Sequence, residues 1–146
     1  MRVDFYQLSR DSVDLTVARL ARKVLQAGER LVVVAAAEDL RETLSMTLWE
    51  QGGNAFLANG PAGGPHAARQ PIVISDRCEA PNTAGMAILA DGIWRDEASR
   101  FARAMLLFDA DATQGARDLW RALDRREDID NRIFKQTPEG AWREGR

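Results

Sequence analysis

Apolar residues near the start of the chain change from strand spacing to helical spacing. Residues 3–8 alternate along a segment rich in β-favouring side chains, which predicts a first strand. The next apolar residues recur at the spacing of one helical face. They are Val13, Val17, Leu20 and Val24. Asp11 or Ser12 is suited to cap this helix, and Gly28 is suited to end it. The chain therefore opens with a strand followed by a helix.

A second strand and helix follow at once. The continuous apolar run at residues 31–36 predicts a strand buried on both faces. Residues 38–51 predict a helix that Gly52 and Gly53 end, with three leucines directed inward. These are Leu40, Leu44 and Leu48. Strands and helices that alternate with short connections are typical of an α/β domain with a largely parallel central sheet and helices on both faces.

The second half of the chain is less regular. Residues 59–71 are rich in proline and glycine and predict a flexible surface loop. Further strands are expected at residues 71–75, 87–91 and 105–108, and helices at 96–104 and 113–126. Residues 132–146 form a terminal segment in which a Pro-Glu-Gly turn suits an edge strand or a hairpin. No repeat or linker divides the chain, so residues 1–146 are expected to form a single α/β domain.

Composition excludes several classes of protein. The chain has 20 basic and 22 acidic residues, a net charge of -2, which is a poor match for a protein whose whole surface binds nucleic acid. Cys78 and His66 stand alone in their types, so a disulfide framework and a Cys/His metal centre are excluded. No signal peptide or membrane-spanning run is visible. We expect a soluble, cytoplasmic protein without metal or cofactor.

The residues that could carry catalysis do not form a recognisable set. The glycine-rich segment at 59–71 lacks the lysine of a phosphate-binding loop, and its prolines remove amides. His66 and Cys78 have no evident catalytic partner, and Asp109 and Asp111 suit helix capping. A small nucleotide-binding or hydrolytic enzyme on a Rossmann-like scaffold remains the alternative. Direct binding of single-stranded nucleic acid through arginines and tryptophans is a third possibility.

Two surface features favour a binding protein instead. Trp49 falls on the polar side of the second predicted helix, opposite its leucines. On the last helix, Arg117, Arg121 and Arg125 repeat at four-residue steps and share one face. An exposed aromatic and a row of arginines are together suited to an acidic peptide that ends in an apolar residue. The sequence does not determine whether these two helices lie side by side.

The order of short segments along nearly the whole chain resembles the chi subunit family of the bacterial DNA polymerase III clamp-loader assembly. No single segment is specific, and the resemblance rests on their order, spacing and the total length. They are FYQL at residues 5–8, LVVVA at 31–35, LW at 48–49, FL at 56–57, MLLF at 105–108 and GAW at 140–142.

The resemblance implies a Rossmann-like, three-layer domain that does not hydrolyse nucleotides. It implies a non-catalytic subunit that links the clamp loader to the acidic C-terminal tail of single-stranded DNA-binding protein and so meets DNA indirectly. That tail is rich in aspartate and ends in proline and phenylalanine. Trp49 stands at the family's tail-binding tryptophan, and Arg121 and Arg125 stand at its two basic positions. Arg117 comes from the helical face alone.

A second partner follows from the same resemblance. In some relatives a patch near Phe56 also binds the psi subunit, which makes Phe56 and Leu57 candidate second-partner residues. The chain departs from the family pattern after this patch, where Ala58 and Asn59 replace a frequent proline and histidine. It also carries Asp124 where an aromatic residue is common.

Overall fold

The computed structural model describes residues 1–50 and 57–145, and these form one eight-stranded sheet with three α-helices. The strands are β1 (Arg2–Gln7), β2 (Leu31–Val34), β3 (Asn59–Pro61), β4 (Ile72–Ser75), β5 (Met86–Leu89), β6 (Arg103–Phe108), β7 (Asp130–Gln136) and β8 (Trp142–Gly145). The helices are α1 (Val13–Gln26), α2 (Glu38–Glu50) and α3 (Thr113–Asp124). None of the helices in the described ranges is long and apolar enough to cross a membrane.

The strands lie in the order β3-β4-β2-β5-β6-β1-β7-β8. Every pairing is parallel except the last, where β8 runs antiparallel to β7. This arrangement confirms the predicted α/β fold with a largely parallel sheet. It also agrees with the three-layer, Rossmann-like architecture that the resemblance implies.

The helices divide between the two faces of the sheet. One buried cluster contains Val17 of α1, Leu44 and Leu48 of α2, and the strand residues that point toward them. The other contains Ala116 and Leu123 of α3 with the alternate strand residues. We call these sides the α1/α2 face and the α3 face. The division follows from strand geometry, because successive side chains of a strand point to opposite faces.

The buried residues of the first half follow the predicted pattern closely. All four side chains of β2 are fully buried, as a continuous apolar run predicts. Leu44 and Leu48 are fully buried too, whereas Leu40 is only partly buried at the start of α2. Complete burial of one such side chain contributes roughly 1.5–3 kcal/mol. Gly28 has a φ of 78° just after α1, which confirms it as the residue that ends this helix.

The helix predicted at residues 96–104 is wrong. The structure has a short 3₁₀ helix, Asp96–Arg100, and β6 already begins at Arg103. Arg103 pairs with Arg2 of β1 on one side and with Met86 of β5 on the other. The end of this segment is therefore part of the sheet, because it pairs with two neighbouring strands. The spacing of apolar residues within the segment does not indicate these partners.

The loop predicted at residues 59–71 is only partly a loop. It begins with β3, which pairs with β4 at the edge of the sheet, and it contains a 3₁₀ helix, Ala67–Arg69. Asn59 is buried and accepts a hydrogen bond from the Ser45 hydroxyl at 2.7 Å. Pro61 lacks an amide hydrogen, which an edge strand tolerates. The sequence analysis missed this edge strand because a high content of proline and glycine predicts a loop.

The terminal segment forms a hairpin. β7 lies inside the sheet and pairs with both β1 and β8, and the turn between the two last strands contains Gly140 with a φ of 93°. α3 ends at Asp124, two residues before the predicted limit, so Arg125 is the first residue beyond the helix. The Pro-Glu-Gly turn predicted an edge strand or a hairpin, and the structure has a hairpin whose second strand, β8, lies at the edge.

Candidate partner-peptide site

Helix α3 places a tryptophan at the edge of the core. Ala116 and Leu123 of this helix are buried against the sheet, whereas Trp120 between them is only partly buried. The Trp120 ring packs edge-on against Phe5 of β1, with ring centroids 5.1 Å apart. One side of the indole is therefore fixed by the core, and the rest of it is available to line a cavity.

A cavity of about 220 Å³ lies between α3 and strands β1, β6 and β7. Its apolar lining comes from Phe5, Phe108, Ala116, Trp120 and Ile133. Its charged lining comes from Arg117 and Arg121 of α3 and from Lys135 of β7, all of which are exposed. We call this the Trp120 pocket. An apolar cavity edged by cations from two elements is suited to an apolar group that carries a carboxylate.

Among the described residues, the cations beside this pocket form at most one ion pair, and that pair is exposed. Arg117, Arg125 and Lys135 have no ion pair within the part of the chain that the structure describes. Arg121 approaches Asp118 at 3.7 Å, but both side chains are more than 60% exposed. Such a pair contributes little in water. Three of these four cations line the pocket, and Arg125 continues the row beyond the helix end.

The structure does not bring Trp49 together with the arginine row. Trp49 is 44% exposed, as its position on the polar side of α2 predicted. However, α2 packs against β3 and β4 on the α1/α2 face, whereas α3 packs against β7 on the other face. Strands β2, β5, β6 and β1 separate β4 from β7. A single compact pocket cannot contain both Trp49 and Arg121.

Comparison with known proteins is consistent with this fold and length. The sequence matches the family described as DNA polymerase III chi subunit, HolC, over residues 1–128. The chain belongs to the chi subunit family. A curated relative from Rickettsia prowazekii (strain Madrid E), named probable DNA polymerase III subunit chi, is 23% identical over 94% of this chain and 87% of its own length. Membership gives the chain an accessory role with DNA polymerase III in DNA replication.

The family match ends just before the terminal hairpin. Arg117, Arg121 and Arg125 lie inside the matched residues, whereas Ile133 and Lys135 lie outside them. Sequence reasoning missed Phe5, Ile133 and Lys135 as site residues. The available signal was the strand alternation, which puts Ile133 and Lys135 on one side of β7, but only the strand order shows which helix they meet.

The two residues expected at the second-partner patch of this chi-family chain have different outcomes. Phe56 lies outside the described residues. Leu57 is 7% exposed and belongs to the core of the α1/α2 face. Its amide donates a hydrogen bond to the Leu48 carbonyl at 3.0 Å. Leu57 therefore fixes the end of α2 rather than presenting a side chain to solvent.

The surroundings of the remaining candidate catalytic residues do not resemble a catalytic site. Burial raises the pKa of the Cys78 thiol to about 11, so it stays protonated at neutral pH. The Asp109 carboxylate accepts a hydrogen bond from the Ala112 amide at the start of a 3₁₀ turn. His66 is exposed next to the 3₁₀ helix Ala67–Arg69. Among the described residues, no group of three histidine, cysteine or acidic side chains is placed to hold a metal ion.

A second cleft lies at the carboxyl ends of β1 and β7, where α/β proteins often bind nucleotides. It has a volume of about 650 Å³, and its charged lining consists of Asp11, Asp109, Asp111 and Lys135. Three carboxylates against one cation repel phosphate groups. The geometry of this chi-family chain therefore gives no support to the nucleotide-binding alternative.

Proposed function

We propose that this chain is a non-catalytic adaptor that binds the acidic C-terminal tail of single-stranded DNA-binding protein in the Trp120 pocket. The adaptor thereby links the clamp loader to protein-coated DNA, and its contact with DNA is indirect. The observation that supports this function is the pocket itself, in which an aromatic cavity stands beside Arg117, Arg121 and Lys135. Family membership supplies the replication context.

The size of the pocket fits the last residue of such a tail. An apolar cavity of about 150 Å³ in an engineered protein is large enough to bind benzene. The Trp120 pocket, at about 220 Å³, therefore has room for a phenylalanine ring between Trp120, Phe5 and Ile133. A ring in this position gains both apolar burial and edge-to-face contact with the aromatic lining.

The cations fit the remaining chemistry of the tail. Arg117 and Arg121 lie one helical turn apart on the side of α3 that lines the pocket, so an extended acidic segment can meet both. Each exposed charge contact contributes about 0.2–1 kcal/mol and is screened by salt. Tail binding is therefore expected to be moderate in affinity and to weaken as ionic strength rises. Arg125, beyond the helix end, contributes less than Arg121.

Trp49 belongs to a different surface in this proposal. Together with Met46, which is 61% exposed, it presents apolar area on the outer side of α2. Neighbouring exposed apolar side chains of this kind mark contact sites for other proteins. We assign this surface to another subunit of the polymerase assembly, such as psi where one is present. The tail and this subunit could then bind at the same time.

Calorimetric titration of a synthetic peptide rich in aspartate and ending in proline and phenylalanine tests the tail site. Arg121→Ala is expected to weaken binding by about two- to five-fold, since one exposed charge contact is lost. Replacing the terminal phenylalanine of the peptide by alanine is expected to weaken binding more, because the pocket stays empty. Trp49→Ala serves as the matched control with unchanged affinity. An affinity that changes neither in Arg121→Ala nor on loss of the terminal phenylalanine would contradict the proposal.

A further inference from the structure

The terminal hairpin places two cations directly opposite each other. In the antiparallel register of β7 and β8, Lys135 faces Arg143. Directly opposed residues of an antiparallel pair point to the same side of the sheet, with their Cβ atoms about 4.5–5.5 Å apart. Lys135 and Arg143 therefore form a like-charged pair at the edge of the domain, which we call the hairpin rim.

The hairpin rim lies on the α3 face, beside the Trp120 pocket. Lys135 lines this pocket together with Ile133, which is two residues away on the same strand. The intervening Phe134 stacks on Tyr6 on the opposite face, and Trp142 of β8 packs edge-on against the same ring. Because side chains alternate along a strand, Arg143 must point away from Trp142 and toward the side of Lys135.

No carboxylate in the described part of the chain holds either of these two cations at ion-pair distance. Neither Lys135 nor Arg143 has an ion pair there, and Glu144 points to the other face because it lies opposite Phe134. Like charges directly opposite each other on a sheet are destabilising. An anionic ligand between them would remove that repulsion.

The strand that carries Lys135 is held firmly. The Gln136 side-chain oxygen accepts hydrogen bonds from the amides of Ser9, Arg10 and Asp11 at 3.0–3.3 Å. Its side-chain nitrogen donates to the Asp11 carboxylate at 2.8 Å. These bonds fix the chain at the residue next to Lys135. The rim is therefore positioned before any ligand arrives.

We propose that the hairpin rim binds carboxylates of the same peptide that the Trp120 pocket receives, and this inference rests on the function proposed above. The peptide then lies between two rows of cations. Arg117 and Arg121 approach it from α3, and Lys135 and Arg143 approach it from the hairpin. The hairpin is thus a tail-binding element that lies outside the residues matched to the family.

The surrounding charges favour a short peptide over a nucleic acid strand. Asp124 and Asp130 line the cleft that continues from the pocket along α3, and Asp11, Asp109 and Asp111 line the cleft at the carboxyl ends of the strands. A long phosphate backbone that crosses the rim would meet these carboxylates. A peptide terminus with a few acidic residues can stay among the cations.

Titration of the same peptide into hairpin variants of the full chain tests the inference. Lys135→Ala and Arg143→Ala are each expected to weaken binding by about two- to five-fold at low salt. Lys135→Glu is expected to weaken binding by about ten-fold, because it reverses a charge that the peptide carboxylates contact. Lys23→Ala is the matched control, because it removes one exposed positive charge from α1 on the other face of the sheet.

The outcomes separate this inference from the proposed function. The hairpin rim is wrong if Arg121→Ala weakens binding while the Lys135 and Arg143 variants match Lys23→Ala. The tail site itself is wrong if Arg121→Ala has no effect. A thermal unfolding curve of each variant shows that the fold is intact.

Discussion

The two faces of the sheet each present one tryptophan on a helix, but in different settings. On the α3 face, Trp120 is partly buried against Phe5 and lines a cavity beside three cations. On the α1/α2 face, Trp49 is 44% exposed on the outer side of α2, near the exposed Met46. A concave site between cations suits a narrow acidic chain end, whereas an exposed apolar helix side suits a broader protein surface.

The two tryptophans show that the more exposed residue of a helix is not always the binding residue. Trp49 is the more exposed tryptophan, and the sequence singles it out for that reason. Trp120 lies on the apolar side of α3 with the buried Ala116 and Leu123, so helical spacing predicts a core residue. The spacing does not show that Trp120 also lines a pocket. A side chain that is half in the core can be the better binding residue, because the core holds it in place.

The largest effect is expected from Trp120→Ala. Loss of the ring removes its packing on Phe5 and one wall of the pocket, so we expect a loss of about 2–3 kcal/mol in the free energy of unfolding. Peptide affinity should fall by at least about ten-fold. Chemical denaturation and calorimetry measure the two effects. Trp120→Phe is the matched control. Full affinity in Trp120→Ala would show that the Trp120 pocket does not bind the peptide.

The next effect concerns the scaffold that both faces share. The Asp91 carboxylate accepts two hydrogen bonds from Arg95, at 2.8 and 2.9 Å, and one from the Ala36 amide at 2.9 Å. Burial alone would raise the pKa of Asp91, but these hydrogen bonds outweigh it and hold the pKa below its ordinary value. Asp91→Asn is therefore expected to lower stability by about 1–3 kcal/mol at neutral pH.

The pH dependence of this variant follows from the direction of the shift. A lowered pKa in the folded state stabilises the protein above the unfolded pKa of about 3.9, and this stabilisation is lost as the pH falls through the folded value. The stability difference between the wild type and Asp91→Asn should therefore shrink below about pH 4. Peptide affinity should stay unchanged at pH 7. A difference that grows in acid would contradict the assignment.

The smallest effect is expected from Trp49→Ala. Its side chain is 44% exposed, so stability should fall by less than in Trp120→Ala, and tail-peptide affinity should not change. Binding of another polymerase subunit, measured by co-purification or calorimetry, is the property expected to fall. Arg121→Ala should show the reverse pattern. Loss of tail binding in Trp49→Ala would join the two surfaces that the structure separates.

Much of the fold could be predicted from the sequence, because apolar spacing reflects burial directly. The fully buried β2 and the inward leucines of α2 are examples. The start of β6 at Arg103 and the edge strand β3 could not be predicted, since pairing with other strands decides them. Local spacing carries no record of such partners.

The site was less accessible to sequence reasoning than the fold. The arginine row follows from one helix and could be predicted from its spacing. The pocket is assembled from β1, β6, α3 and β7, whose order in the sheet is not written in any one segment. The same order separates Trp49 from the arginines. Residues such as Lys135 become visible only when the strand neighbours are known.

The central claim is that the tail site lies on the α3 face alone. Nuclear magnetic resonance of the ¹⁵N-labelled chain during titration with the acidic peptide tests it most directly. We expect the largest amide shifts in α3, in the second half of β7 and near Arg143 of β8, with the α2 amides around Trp49 unchanged. Shifts concentrated in α2, with α3 and the hairpin unaffected, would contradict the account.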